Sequence, residues 1–211
     1  MNSNDSKQFH HLKNKPREVM KEWLKKREFW KFRKASLALQ FLYDADEFYR
    51  FRGAEALGYL CRGRVARNFI LRLFWHLSDE SGAYCIGAPL GIAEIGRTNP
   101  DVFEGFRNKF VSLIDDWEVE RKYVVYGMAR VSYLIEDAYP NPKKKIEEVL
   151  KNEDKAEVIA YAILTAKKLG VSDSICVEAA DRFFGERVKI YDGEKIVEVA
   201  FPDVLSMSYL F

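Results

Sequence analysis

Apolar positions along this chain fall at helical spacing almost from the start. Val19, Met20, Trp23 and Leu24 make one stripe, which predicts a helix from Pro16, a residue suited to a first turn, to about Arg27. Phe29, Trp30, Phe32, Leu37, Leu39, Phe41 and Leu42 carry the helical content on. From residue 44 a repeat takes over. Asp44, Asp79 and Asp115 lie 35 and 36 residues apart, and each precedes by eight residues a segment in which small residues alternate with a large one. The segments are Arg52-Gly-Ala-Glu-Ala-Leu-Gly-Tyr-Leu60, Gly87-Ala-Pro-Leu-Gly-Ile-Ala-Glu-Ile95 and Tyr123-Val-Val-Tyr-Gly-Met-Ala-Arg-Val131. A looser fourth copy runs from Glu153 to Leu169 and is closed by Gly170 as a C-cap.

Bulkier helices are predicted between these, over Val65–Leu77, Pro100–Ile114 and Pro142–Leu150, with Asn99 and Asn141 as N-caps before proline. Two helices per period of about 36 residues is the pattern of an α-solenoid. A glycine inside a helix costs about 1 kcal/mol relative to alanine, so Gly58, Gly91 and Gly127 at matching positions imply close helix contact. After Gly170 a short helix capped by Ser172 is expected. Residues 188–199 then alternate apolar and polar about Asp192-Gly193, which predicts a β-hairpin capping the last helix pair.

The expected fold is therefore all-α, a right-handed superhelix of helix pairs with a small C-terminal hairpin. Residues 1–15 are expected to be mobile, and residues 16–211 to form one domain. Within it, 16–43 are basic N-terminal helices, 44–170 the repeats, and 171–211 a capping helix, the hairpin and an apolar tail.

Charge changes the picture more than composition does. The formal net charge is +2, yet residues 1–72 hold 17 Lys or Arg against 8 Asp or Glu, and residues 73–211 hold 17 against 24. Such a two-ended molecule suits an acidic or polyanionic partner at its N-terminal half. The three cysteines, Cys61, Cys85 and Cys176, are too far apart for a disulfide framework or a zinc knuckle. No secretory leader and no apolar run long enough for a membrane span is present, so a cytoplasmic protein without membrane attachment is expected. No phosphate-binding loop, dinucleotide fingerprint or nucleophile elbow occurs. No catalytic residue, metal site or cofactor is assigned.

Two groups of residues are candidates for binding. Trp75, Asp79, Glu80 and Ser81, with Trp117 in the next unit, would form an aromatic and acidic platform for a protein partner or small ligand. The recurrence of aspartate at 44, 79 and 115 favours helix capping for Asp79, because every turn needs a cap. The small-residue stretch Ser81–Pro89 marks the place to look for a pocket. The second group is basic and aromatic. Lys25, Lys26, Arg27, Lys31, Arg33, Arg62 and Arg64, interleaved with Trp23, Phe29, Trp30 and Phe32, could track phosphates while rings stack on bases. The leading function is a non-catalytic interaction module, and the alternative is nucleic-acid binding.

The segment Arg52–Leu60 resembles the inner half of a HEAT-like repeat of the phycobilisome-lyase type. Trp75-x-x-x-Asp79-Glu-Ser-Gly82, Gly87-Ala-Pro89 and Tyr191-Asp-Gly193 resemble a small prokaryotic family of HEAT-like proteins with no assigned activity. The resemblance spans roughly residues 36–200. A second resemblance, to HEAT-like DNA glycosylases that remove alkylated bases, implies aromatic and acidic roles for Trp75 and Asp79.

Overall fold

The computed structural model describes residues 17–78, 82 and 84–207. The expectation of a mobile 1–15 therefore lies outside the described residues. The chain is mostly helical, with one two-stranded antiparallel hairpin near its C-terminus. Helix α1 (Arg17–Lys25) and the short α2 (Ala35–Leu39) precede α3 (Glu47–Leu60) and α4 (Gly63–Trp75). Next come α5 (Ala88–Thr98), α6 (Pro100–Phe103), α7 (Arg107–Ser112), α8 (Arg121–Arg130) and α9 (Ser132–Ile135). Then follow α10 (Pro142–Asn152), α11 (Ala156–Leu169), α12 (Asp173–Asp181), strands β1 (Arg187–Tyr191) and β2 (Ile196–Ala200), and α13 (Phe201–Ser206).

Helices α3, α5, α8 and α11 pack side by side in chain order, α4 lies against α5, and α10 and α12 lie against α11. The small residues set how closely the inner helices approach. A Cβ on Gly58 would stand 2.7 Å from the carbonyl oxygen of Glu94, and one on Gly127 would stand 2.7 Å from the Phe110 ring and 3.0 Å from Ala93 Cβ. Threonines tie the same helices together: the Thr98 hydroxyl donates to the Gly58 carbonyl at 2.7 Å, and Thr165 donates to Val125 at 2.9 Å. Pro89 sits in the first turn of α5, where it costs no hydrogen bond. Gly170 adopts the left-handed conformation that ends α11, with φ 67°.

Several local expectations are corrected. The helix expected over Pro100–Ile114 is broken between α6 and α7 at residues 104–106, around Gly105. Asn99 does not cap it; its amide donates to the Cys61 and Ile95 carbonyls, and its oxygen accepts from Gly63 N–H, bridging two helix pairs. Asn141 does cap α10, accepting from Lys144 N–H. Asp46, not Asp44, is the N-cap of α3. Asp44 is buried two residues earlier, where it accepts from Asp46 N–H and pairs with Arg17 at 2.6 Å. Before α8 the turn is made by Asp116, which accepts from Glu118 N–H, while Asp115 pairs with Lys145.

The hairpin departs furthest from expectation in its reach. Its turn is where the sequence puts it: residues 192–195, with Asp192-Gly193 in front, join the two strands, Asp192 N–H bonds the Lys195 carbonyl, and the Asp192 carboxylate accepts from the Glu194 and Lys195 amides. Gly193, at φ 96°, supplies the left-handed residue the loop requires. The hairpin does not only cap the last helices: it reaches back across the inner layer to the first. Tyr191 donates from its hydroxyl to Glu55 on α3 at 2.7 Å and from its backbone to the Tyr161 hydroxyl on α11 at 2.8 Å. Its ring stacks on Phe51 at 4.4 Å between centroids. Arg52 donates to the Glu194 carbonyl at 2.7 Å, and Arg27 to that of Gly193. Phe51, Tyr123, Tyr126, Tyr161 and Tyr191 form the buried aromatic centre of the molecule.

Candidate interaction surfaces

Filling of the inner face by the hairpin decides where a site can be. The carboxylates there are paired with arginines. Glu94, fully buried on α5, is held by Arg130 from α8 and by Arg97 at 3.0 Å. Burial works to raise its carboxyl, but the two guanidinium groups outweigh burial and keep it below the usual carboxylate range. Glu55 goes the other way: burial raises it, and Arg52 only partly compensates. Sequence reasoning missed Glu94, although a lone acid inside Gly-Ala-Pro-Leu-Gly-Ile-Ala-Glu-Ile-Gly was a visible signal.

Among the described residues, two surfaces carry the candidates Trp75 and Trp117. The first is the outer face of α4. Ala66, Ile70, Leu73 and Phe74 bury one side of this helix, and Arg64, Asn68, Leu71 and Trp75 run down the middle of the other. Leu71 is 47% exposed and Trp75 54%. No Asp or Glu occurs within α4. Arg67 lies over the Phe106 ring at 5.5 Å, and Arg72 Nε donates to His76 Nε2 at 3.1 Å. Trp75 thus shares a helix face with Arg64 at its other end, residues assigned to different groups in the sequence. Asp79, Glu80 and Ser81 lie outside the described residues, so the expected platform cannot be assembled around them.

The second surface is a cleft of about 290 Å³ where the turns preceding α5, α8 and α11 meet, lined by Tyr84, Ile86, Asp116, Trp117, Val119 and their neighbours. Trp117 is 85% exposed at its rim, and Trp75 is not among its lining residues. The Tyr84 hydroxyl donates to the Glu118 carbonyl at 2.8 Å, joining two turns. Glu153 is occupied by Arg121 and by the amides of Asp154 and Lys155, which together overcome burial and hold its carboxyl below its ordinary value. The acids at this cleft therefore serve the helix starts first.

The basic candidates are dispersed by the fold. Lys25 and Lys31 form exposed pairs with Glu22 and Glu28, at 2.8 and 2.6 Å. Arg27 holds the hairpin loop, and Arg62 donates to the Gly58 and Cys61 carbonyls that end α3. Lys26, Arg33 and Arg64 are exposed and make no ion pair among the described residues. Cys61 and Cys85 are fully buried, and burial pushes their thiols up to about 12 and about 11. A thiol so protonated is a poor nucleophile at neutral pH. Among the described residues no group of His, Cys, Asp and Glu is placed to hold a metal ion, and no helix is long and apolar enough to cross a membrane.

These features define a mostly helical protein whose C-terminal hairpin packs against α3 and α11 and whose Trp75 and Trp117 are exposed. An uncharacterized protein of Archaeoglobus fulgidus is 59% identical over 174 residues, covering 82% of this chain and 93% of that protein. This chain belongs to the same family. No family model and no solved structure matches it.

Proposed function

We propose that the protein is a non-catalytic interaction module, a short α-solenoid of HEAT-like helix pairs that docks a protein partner on its outer face around Trp75. The side-by-side packing of α3, α5, α8 and α11 in chain order supports the solenoid reading. So do bonds that recur at one period: Gly63 to Asn99, Arg130 to Glu94 and Tyr133 to Arg97 each join residues 36 apart. The observation that carries the functional reading is the pair Leu71 and Trp75, large apolar side chains on the solvent midline of a helix whose other side is fully packed. Contiguous apolar exposure of this kind marks interaction surfaces, and Trp is enriched among the residues that dominate binding energy.

A photo-cross-linking residue placed at 71, 75 or 117 tests the reading in cells. The expected result is one reproducible protein adduct from position 71 or 75, lost when Trp75→Ala is introduced into the cross-linker-71 protein. Absence of any adduct from both position 71 and position 75 sinks it, whatever position 117 captures. The nucleic-acid alternative separates on salt: DNA or RNA binding would weaken steeply as ionic strength rises, whereas no binding at low salt removes that alternative.

A further inference from the structure

Resting on that reading, we infer that the outer face of α4 is a docking site for an acidic amphipathic helix of a partner protein. The charge of the surface comes first. Arg64, Arg67 and Arg72 flank Leu71 and Trp75, and α4 carries no acid to neutralise them. Lys109, over the Phe74 ring at 4.7 Å, extends the positive border onto the neighbouring helix, while Glu104 beyond it is tied to Arg107. A partner that buries Leu71 and Trp75 must therefore bring carboxylates to the guanidinium groups around them, or leave those groups desolvated and unpaired.

The shape of the surface comes second. The backbone amides and carbonyls within α4 are spent inside the helix, so it offers no edge to an extended strand. What it offers is a ridge of side chains at positions 64, 68, 71 and 75, about 16 Å long at 1.5 Å per residue. Such a ridge packs against the groove of another helix. Leucines at i, i+4 and i+7 on the partner would meet Leu71 and Trp75, and glutamates beside them would reach the arginines in the bidentate geometry that Arg favours over Lys. Two of those arginines are already positioned, Arg67 by Phe106 and Arg72 by His76, so less side-chain freedom is lost on binding. A second copy of this chain is a poor occupant, because a two-fold contact through α4 would set arginine against arginine.

The probe is a labelled synthetic helix with leucines at i, i+4, i+7 and i+11 flanked by glutamates, titrated against the full chain by fluorescence anisotropy. Controls are an isomer of the same composition with scrambled leucines, phosphatidylglycerol vesicles and duplex DNA. The expected result is a Kd on the order of 10 µM, weakened about tenfold, or 1.4 kcal/mol, by scrambling, by Leu71→Ser and by Arg64→Glu. Trp117→Ala should leave it unchanged. Both α4 substitutions fall on exposed side chains, and circular dichroism verifies that the variants are folded; if Leu71→Ser unfolds, Arg64→Glu still decides. Equal binding of the scrambled isomer overturns the inference, as does preference for vesicles or DNA through the same residues. If position 71 or 75 cross-links a protein that the acidic helix does not displace, this inference fails and the interaction-module reading stands. If neither position captures anything, that reading fails instead.

Discussion

Replacing Gly58 by alanine tests whether close helix contact explains the glycines, because two opposing effects of known size meet there. Alanine in a helix interior is favoured over glycine by about 1 kcal/mol. Against this, the new Cβ would lie 2.7 Å from the Glu94 carbonyl oxygen and 3.1 Å from its carbon. That obstacle is backbone, and it is pinned by Thr98, whose hydroxyl bonds the Gly58 carbonyl. Overpacking a tight contact costs about 1–3 kcal/mol, and an immovable neighbour puts the cost at the upper end. The net expectation is destabilisation of about 1–2 kcal/mol, a fall in Tm of about 2–8 °C for a chain of this length. Gly91→Ala is the matched control. Its Cβ would meet the methyl ends of Leu42 and Leu73 at 2.8 and 3.0 Å, and flexible tips can give way. Cost and gain then nearly cancel, and Tm should move by less than about 2 °C. Paired thermal melts by circular dichroism decide the matter. Should Gly58→Ala raise Tm, or the two variants behave alike, the glycines are not there for helix approach.

Glu94→Gln should cost about 3–5 kcal/mol in denaturant unfolding, since it leaves the mostly buried guanidinium of Arg130 against a neutral group; a loss under about 1 kcal/mol would show that the pair relaxes into water. Acid should weaken the fold in a defined window. Asp44, Glu94 and Glu153 all have carboxyls held lower in the folded chain than in the unfolded one, so their contribution is complete above the ordinary carboxylate range and is lost as pH falls through and below it. A Tm that is flat between pH 6 and pH 3 would contradict this. Tyr191→Ala removes a ring stacked on Phe51 and bonds to both Glu55 and Tyr161, and should cost about 3–5 kcal/mol. Hydrogen exchange should then quicken at the hairpin amides and around Arg52, and unchanged protection there would mean the hairpin does not bridge the helices in solution. At neutral pH, native Cys85 should resist alkylation and react only after unfolding.

Helical content and small-residue positions were readable in the chain because helix formation and close helix packing are written locally. The spacing of Gly58, Gly91 and Gly127 foretold contacts that a Cβ would obstruct, and the alternation about residue 192 foretold the hairpin. What escaped is long-range. Nothing near Tyr191 states that it will meet Glu55, 136 residues earlier. Asn99 looked like a cap because Asn-Pro is a local signature, yet a carbonyl and an amide from the preceding helix pair compete for its side chain and win. On α4 the arginines and Trp75 were noticed separately, since only the helix wheel puts them on one face. Leu71 was overlooked because an apolar residue in an apolar helix reads as core. A helix with no acid, and with apolar residues on both sides, was the signal available.

The hairpin's reach back to α3 also governs how this family can vary. Open stacks of helix pairs can gain or lose a unit, because each answers only to its neighbours. Here one more inner helix between α5 and α8 would carry Arg52 and Glu55 some 8–10 Å farther from Gly193, Glu194 and Tyr191, well past hydrogen-bonding distance. Duplication of a pair would therefore be tolerated only alongside a longer hairpin. The distance between α3 and α11 and the length of the final loop are tied to each other.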